Sequence, residues 1–214
     1  MNQQILLSTA YFPPLSYFSL LTVRKYAEIE VLETFAKQTY RNRCRILTAN
    51  GVIQLTVPVI KPFGNHTTTQ DVLVSDQERW QQIHWRAITS AYRAAPYFAH
   101  YADYFHPIFT QSHHRLIDLN KEIIWRILRL LRIEISLIES SEFEHNPRNK
   151  LDFRRQFTPK ILPDQSLFTP YYQVFNDRFS FHADLSILDL LFNEGPSALP
   201  YLQKLAPLIQ DKQS

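Results

Sequence analysis

Four stretches carry side chains that could bind or transform a substrate. The first is Tyr11-Phe12-Pro13-Pro14, with Tyr17 just beyond it. Neither proline donates an N–H to a sheet, so this motif ends a strand. Pro14 suits a helix start, where its missing N–H is not needed. Ligands of open parallel sheets bind outside the carboxyl ends of strands, and a helix N-terminus there favours an anion. Tyr11, Pro13 and Tyr17 are therefore candidate substrate contacts, with plain turn packing as the alternative. The second stretch is Lys37-Gln38-Thr39-Tyr40-Arg41-Asn42-Arg43. Guanidinium forks suit phosphate or carboxylate groups, so Lys37, Tyr40, Arg41, Asn42 and Arg43 are candidates for an anionic ligand. A solvated, charge-paired loop is the competing reading.

The third stretch is aromatic and histidine-rich, from Tyr92 to His114. Tyr92 could stack on a sugar or base, although core packing is the default for such rings. His100, His106, His113 and His114 miss the i, i+4 spacing of a helical ligand pair, so no metal site is expected. The fourth contains His182 and Asp184. His182 is the best single general acid/base candidate because imidazole titrates near neutrality. Asp184 reads as the N-cap of a helix beginning at Leu185. Asp118 reads as an exposed carboxylate on a helix face. Cys44 lies on a strand pattern and reads as a small buried residue rather than a nucleophile.

These stretches need elements to position them. Ile5 to Ser8 is a short apolar run and reads as a buried strand. Leu15, Phe18, Leu20 and Leu21 fall on one helical face. Ile29 and Val31 alternate with Glu28 and Glu30 as a second strand. Strand, helix and strand at this spacing predict a βαβ unit with parallel strands. Asn50-Gly51, between alternating apolar runs, predicts a hairpin closed by a type I′ turn. Ser75-Asp76-Gln77-Glu78 reads as a capping box opening a helix that Pro96 ends. Further helices are expected over 97–109, with a break near Pro107, and over 115–131. A strand is expected over 133–138. Residues 144–170 are polar, basic and proline-containing, and read as a loop. A last helical pattern runs to Asn193, where Gly195-Pro196 stops it, and a terminal helix starts at Ser197. The fold class is therefore α/β. It combines a mixed, partly parallel sheet, an N-terminal βαβ unit and a hairpin with a cluster of helices, in a single domain over residues 1–214.

Composition removes whole classes of function. The chain has 214 residues, 45% hydrophobic and 20% charged, which supports a substantial core. Its glycines are Gly51, Gly64 and Gly195 alone, too scattered for a phosphate-cradling loop, so P-loop and Rossmann cofactor readings fall away. One cysteine allows neither an internal disulfide nor a thiolate zinc site. No cofactor is expected. A net charge of +3 is too small to predict nucleic-acid binding, despite basic clusters at 41–45 and 148–155. The first residues have no signal-peptide character and no run approaches a membrane span, so a cytoplasmic location is expected. A homo-oligomer is left open.

Several motifs in order resemble the WbqC-like protein family. They are Ala10-Tyr11-Phe12-Pro13-Pro14-Leu15-Ser16-Tyr17-Phe18; Thr39-Tyr40-Arg41-Asn42-Arg43-Cys44-Arg45-Ile46; Asn50-Gly51 with Leu55-Thr56-Val57-Pro58-Val59; Ala91-Tyr92-Arg93-Ala94-Ala95-Pro96-Tyr97-Phe98; Asp118-Leu119-Asn120; and the run from Leu185 to Pro196. The resemblance implies an association with bacterial surface-polysaccharide (O-antigen) gene clusters, without an assigned activity. It points to an enzyme of surface-polysaccharide or activated-sugar metabolism taking an anionic, nucleotide-linked or acyl-activated substrate. The alternative is a non-catalytic adaptor or ligand-binding protein derived from one. Longer members have extra sequence, including a Ser-Gly loop, where this chain has the short, glycine-free interval 140–182.

Overall fold

A computed structural model describes residues 4–211. Its centre is a parallel four-stranded sheet ordered β7-β2-β1-β8, formed by β1 (Gln4–Ser8), β2 (Tyr26–Glu30), β7 (Ser136–Glu139) and β8 (Lys150–Asp152). Ile5, Leu6 and Leu7 of β1 are all buried, as a strand covered on both faces requires. Helix α1 (Leu15–Leu21) connects β1 to β2, so the expected βαβ unit is present. All seven of its residues are buried, and it packs against α6 (Ala198–Asp211).

The strand order has a functional consequence. From β1 the chain places β2 and later β7 on one side, then returns to set β8 on the other. The crevice between the carboxyl ends of β1 and β8 lies where the connections part, which is where open α/β sheets bind ligands. Strand β8 corrects the reading of residues 144–170 as loop. Lys150-Leu151-Asp152 has one apolar residue and no visible period. It is a strand because Gln4, Ile5 and Leu6 offer it an edge, and because Lys150 pairs with Glu28 at 2.9 Å and Glu144 at 2.8 Å.

The hairpin of β3 (Arg43–Thr48) and β4 (Gly51–Thr56) forms in the expected place but not with the expected turn. Only Gly51 is left-handed, at φ 98°, while Ala49 and Asn50 keep negative φ. A type I′ turn needs two positive φ angles. Here Thr48 Oγ1 accepts from Asn50 N and donates to the Gly51 carbonyl, which holds the turn in an ordinary conformation closed by one glycine.

A short ribbon, β5 (Val59–Ile60) with β6 (Leu73–Val74), precedes α2 (Trp80–Tyr92). Ser75 does not cap this helix. Its N–H donates to the Pro58 carbonyl at 2.9 Å, which extends the ribbon and delays the helix to Trp80. Helices α3 (Phe98–Phe105) and α4 (Leu116–Leu130) follow, separated by a 3-10 turn over His106–Phe109. Helix α5 (Ile187–Glu194) is capped by Ser186, whose Oγ accepts from Leu188 N. Gly195 ends it at φ 53°, and a Cβ there would sit 2.5 Å from the Tyr97 ring. One core cluster runs through all these elements, from Ile5 to Ile209. No helix among the described residues is long and apolar enough to cross a membrane.

Candidate functional site

Each strand of the parallel sheet delivers a polar group at its carboxyl end: Ser8 from β1, Glu30 from β2, Ser140 just after β7 and Arg154 just after β8. Arg41 joins them. Its Nε and Nη2 donate to Glu33 Oε1 at 2.9 and 2.6 Å, and Nη2 also donates to Ser8 Oγ at 2.7 Å. Ser8 Oγ donates to the Arg154 carbonyl. The Arg154 fork grips Asp152 at 2.9 and 2.7 Å and reaches Glu30 Oε2 at 3.2 Å. Ser140 Oγ donates to the other Glu30 oxygen at 2.7 Å. Both arginines are buried, so the carboxylates around them compensate charges that could not stand alone away from water. Asn120 of α4 braces the group from behind. Its Nδ2 donates to Thr9 Oγ1 at 3.1 Å and to the Arg41 carbonyl at 2.8 Å.

A narrow crevice lies between Ser8, Tyr17, Arg41, Arg154 and Phe157, and a cavity of about 170 Å³ shares Tyr40 and Phe157 with it as lining residues. Ser16, Tyr40 and Asp184 face that cavity. Asp184 is left-handed at φ 54°, a conformation that asparagine and aspartate tolerate better than other side chains but that still costs energy. Its carboxylate accepts from Ser16 N at 2.7 Å through Oδ1 and from Ser16 Oγ at 2.7 Å through Oδ2. Burial pushes its pKa up to about 6, against the opposing pull of the Ser16 donors and of Arg45. Tyr40 beside it is raised to about 12, mainly by burial and then by the Asp184 charge, while Arg45 opposes both.

The segment carrying Asp184 is fixed by backbone bonds on two sides. Leu185 O accepts from Leu15 N, Ile187 N donates to Pro13 O, and Ser186 N donates to Arg45 O. Ser186 Oγ donates to the Phe12 carbonyl at 3.0 Å. Asp184 therefore caps α1 from across the fold, and is not the cap of the helix that follows it. The first turn of α1 already holds this carboxylate, which corrects the expectation of an open anion site there.

The other predicted residues divide clearly. Tyr11 is fully buried, donates its backbone N–H to Tyr40 O at 2.8 Å, and meets His84 Nδ1 through its hydroxyl at 2.8 Å. It backs the site and does not face a ligand. Pro13 is buried and serves through its carbonyl. Tyr17 borders the crevice and donates to Ser8 O at 2.9 Å. Arg41 and Tyr40 line the crevice. Asn42 is buried and donates to Val57 O. Arg43 is half-buried, and Lys37 is exposed. Tyr92 is buried against Phe192, so it offers no stacking face. His182 is half-buried; its Nδ1 meets the Ser180 carbonyl at 2.8 Å and it does not line the cavity.

Sequence reasoning missed Ser16, Arg154, Glu30 and the role of Asp184. Asp184-Leu185-Ser186 offers two cap residues for one helix. That redundancy was a signal that one of them works elsewhere. Arg154 sat in a stretch without periodicity and gave no such signal.

With this geometry in hand, comparison with known proteins defines the class. The model of the WbqC-like protein family matches residues 9–163, and the chain belongs to that family. The match begins at the end of β1 and spans Arg41, Asn120 and Arg154, whereas Asp184 lies beyond it. The chain is also 27% identical to the uncharacterized protein Rv1507c of Mycobacterium tuberculosis, over 95% of this chain and 98% of that one. No solved structure gives a significant match.

Proposed function

We propose that the protein is an enzyme of bacterial surface-polysaccharide or related activated-sugar metabolism, with the cavity lined by Ser16, Tyr40 and Asp184, beside the β1/β8 crevice, as its active site and Asp184 as its proton-transfer group. The observation that carries this reading is Asp184 itself. It is a strained, half-buried carboxylate with a pKa near 6, held by two donors and facing a cavity next to the crevice at the sheet's switch point. A carboxylate with that pKa can accept a proton near neutral pH and return it. Arg45, beside Tyr40 and Asp184, supplies positive charge for an anionic, nucleotide-linked or acyl-activated substrate. Arg43 projects from the same face of β3, two residues away.

A second reading has its own support. Arg41 and Arg154 are already held by Glu33, Glu30 and Asp152. Charges engaged in this way hold a fold together and need not meet a ligand, as in a non-catalytic adaptor or ligand-binding protein. A thermal-shift screen of nucleotide-linked sugars and acyl thioesters separates the two. The enzyme reading expects a ligand that stabilises the parent and is consumed by it, with consumption lost in Asp184→Asn. Stabilisation without turnover by any ligand points to the binding protein.

A further inference from the structure

The cavity facing Asp184 is chemically lopsided. Ser16, Tyr40 and Asp184 stand together at one end. The strap of residues 156–168 and the last helix supply the rest, mostly apolar, through Phe157, Ile161, Leu162, Leu167, Phe168 and Ile209, with Gln156, Thr158 and Asp164 among them. Asp184 is anchored to Ser16 at 2.7 Å, which fixes the polar end. A phosphate placed against the strap would meet mainly carbon and the Asp164 carboxylate, with no cation among the described lining residues to replace its hydration. A hydrocarbon group would lose nothing there. The volume of about 170 Å³ is close to that of an apolar cavity known to hold benzene, so the space takes roughly six carbon atoms.

Ile161 and Leu162 add a second observation. They are 57% and 81% exposed, on a strap that has only a 3-10 turn at Gln165–Leu167 for regular structure. Large apolar side chains left in water beside an apolar cavity gain burial when a ligand fills it.

We infer that this cavity is an acyl-group subsite: it takes a chain or ring of about six carbons, with the carbonyl end turned toward Ser16, Tyr40 and Asp184. This rests on the cavity being the functional site, and it selects the acyl-activated over the nucleotide-linked class of substrate. The Tyr40 hydroxyl is able to donate to a carbonyl oxygen, while the Ser16 hydroxyl proton already goes to Asp184. A free carboxylate is disfavoured above pH 6, where it would face the Asp184 charge.

The test is an NMR titration of the full chain with three probes: hexanamide, hexanoate and uridine diphosphate. Hexanamide is expected to shift resonances of Ser16, Tyr40 and the 156–168 strap. Hexanoate should bind more weakly at pH 8 than at pH 5, and uridine diphosphate should leave the strap unmoved. Ile161→Asp and Leu162→Asp alter exposed positions, so both variants should fold, and each should weaken hexanamide by about tenfold by placing charge in an apolar wall. Binding of uridine diphosphate at the strap, or hexanamide binding unchanged in both aspartate variants, overturns the acyl subsite while leaving the cavity as the functional site. If no probe binds and no probe moves Asp184, the inference falls, and the proposed active site loses its support with it.

Discussion

Two buried regions of this molecule solve the problem of polar groups in opposite ways. At the carboxyl edge of the parallel sheet the groups stay charged and are paired: Arg41 with Glu33, Arg154 with Glu30 and Asp152. On the aromatic side, below the hairpin, the groups are held neutral. Tyr11 meets His84 at 2.8 Å among Trp80 and Phe12. Burial there depresses the His84 pKa to about 4 and raises that of Tyr11. The charged edge borders the crevice that shares Tyr40 and Phe157 with the cavity of the half-buried Asp184. The neutral region is scaffold for it: Tyr11 carries both the His84 contact and the backbone bond to Tyr40.

The sharpest way to break this contrast is to remove one partner of a paired charge. Arg154→Ala leaves Glu30, 1% exposed, without its cation. Stability should fall by about 3–5 kcal/mol in urea denaturation, and Glu30→Gln in the same chain should restore part of the loss. A fall below about 1 kcal/mol would show that the edge does not depend on pairing.

Steric packing, without charge, dominates on the far side. Gly195→Ala asks alanine to adopt a left-handed φ and to clear the Tyr97 ring. The expected cost is about 1–3 kcal/mol, insensitive to salt. Pairing it with Tyr97→Ala should lower the added cost of the alanine, which a double-mutant cycle measures.

Opposite pH dependences distinguish the two regions more finely. His84 has a folded pKa below its usual 6.5, so its contribution is present above pH 6.5 and is lost as pH falls toward 4. Asp184 has a folded pKa above its usual 3.8, so its contribution is present below 3.8 and is lost as pH rises through 6. Asp184→Asn should therefore steepen the rise in stability between pH 4 and 7, and His84→Phe should flatten it. Urea midpoints across that range check both, and parallel curves for all three proteins would contradict the assignment. The smallest effect belongs to an exposed pair outside both regions. Arg115 and Asp118 meet at 2.8 Å with 52% and 47% of their side chains exposed, and Arg115→Ala should change stability by no more than about 0.5 kcal/mol.

The sequence revealed the elements whose pattern is local. The βαβ unit, the hairpin and the helices near 80–92 and 116–130 follow from apolar periodicity and turn residues. Strand β8 did not, because a three-residue edge strand is defined by its partner and not by its own composition. The candidate site was half legible for the same reason. Arg41, Tyr40 and Tyr17 stood out by residue type and by their place after a strand. Asp184 is bound to Ser16, 168 residues earlier, and no local rule connects positions so far apart. Tyr92 and His182 stood out by chemistry alone; the fold buries Tyr92 against Phe192 and sets His182 Nδ1 at the Ser180 carbonyl, outside the cavity lining.

Asp184 as a proton-transfer group, open to a ligand in the cavity it lines with Ser16 and Tyr40, is the proposal on which the functional reading depends. Carbon-detected NMR titration of its carboxyl group tests this directly, first alone and then with any ligand found by thermal shift. A midpoint near 6 that moves when the ligand binds is expected. A midpoint near 3.8, unmoved by a ligand that binds the chain, would contradict it.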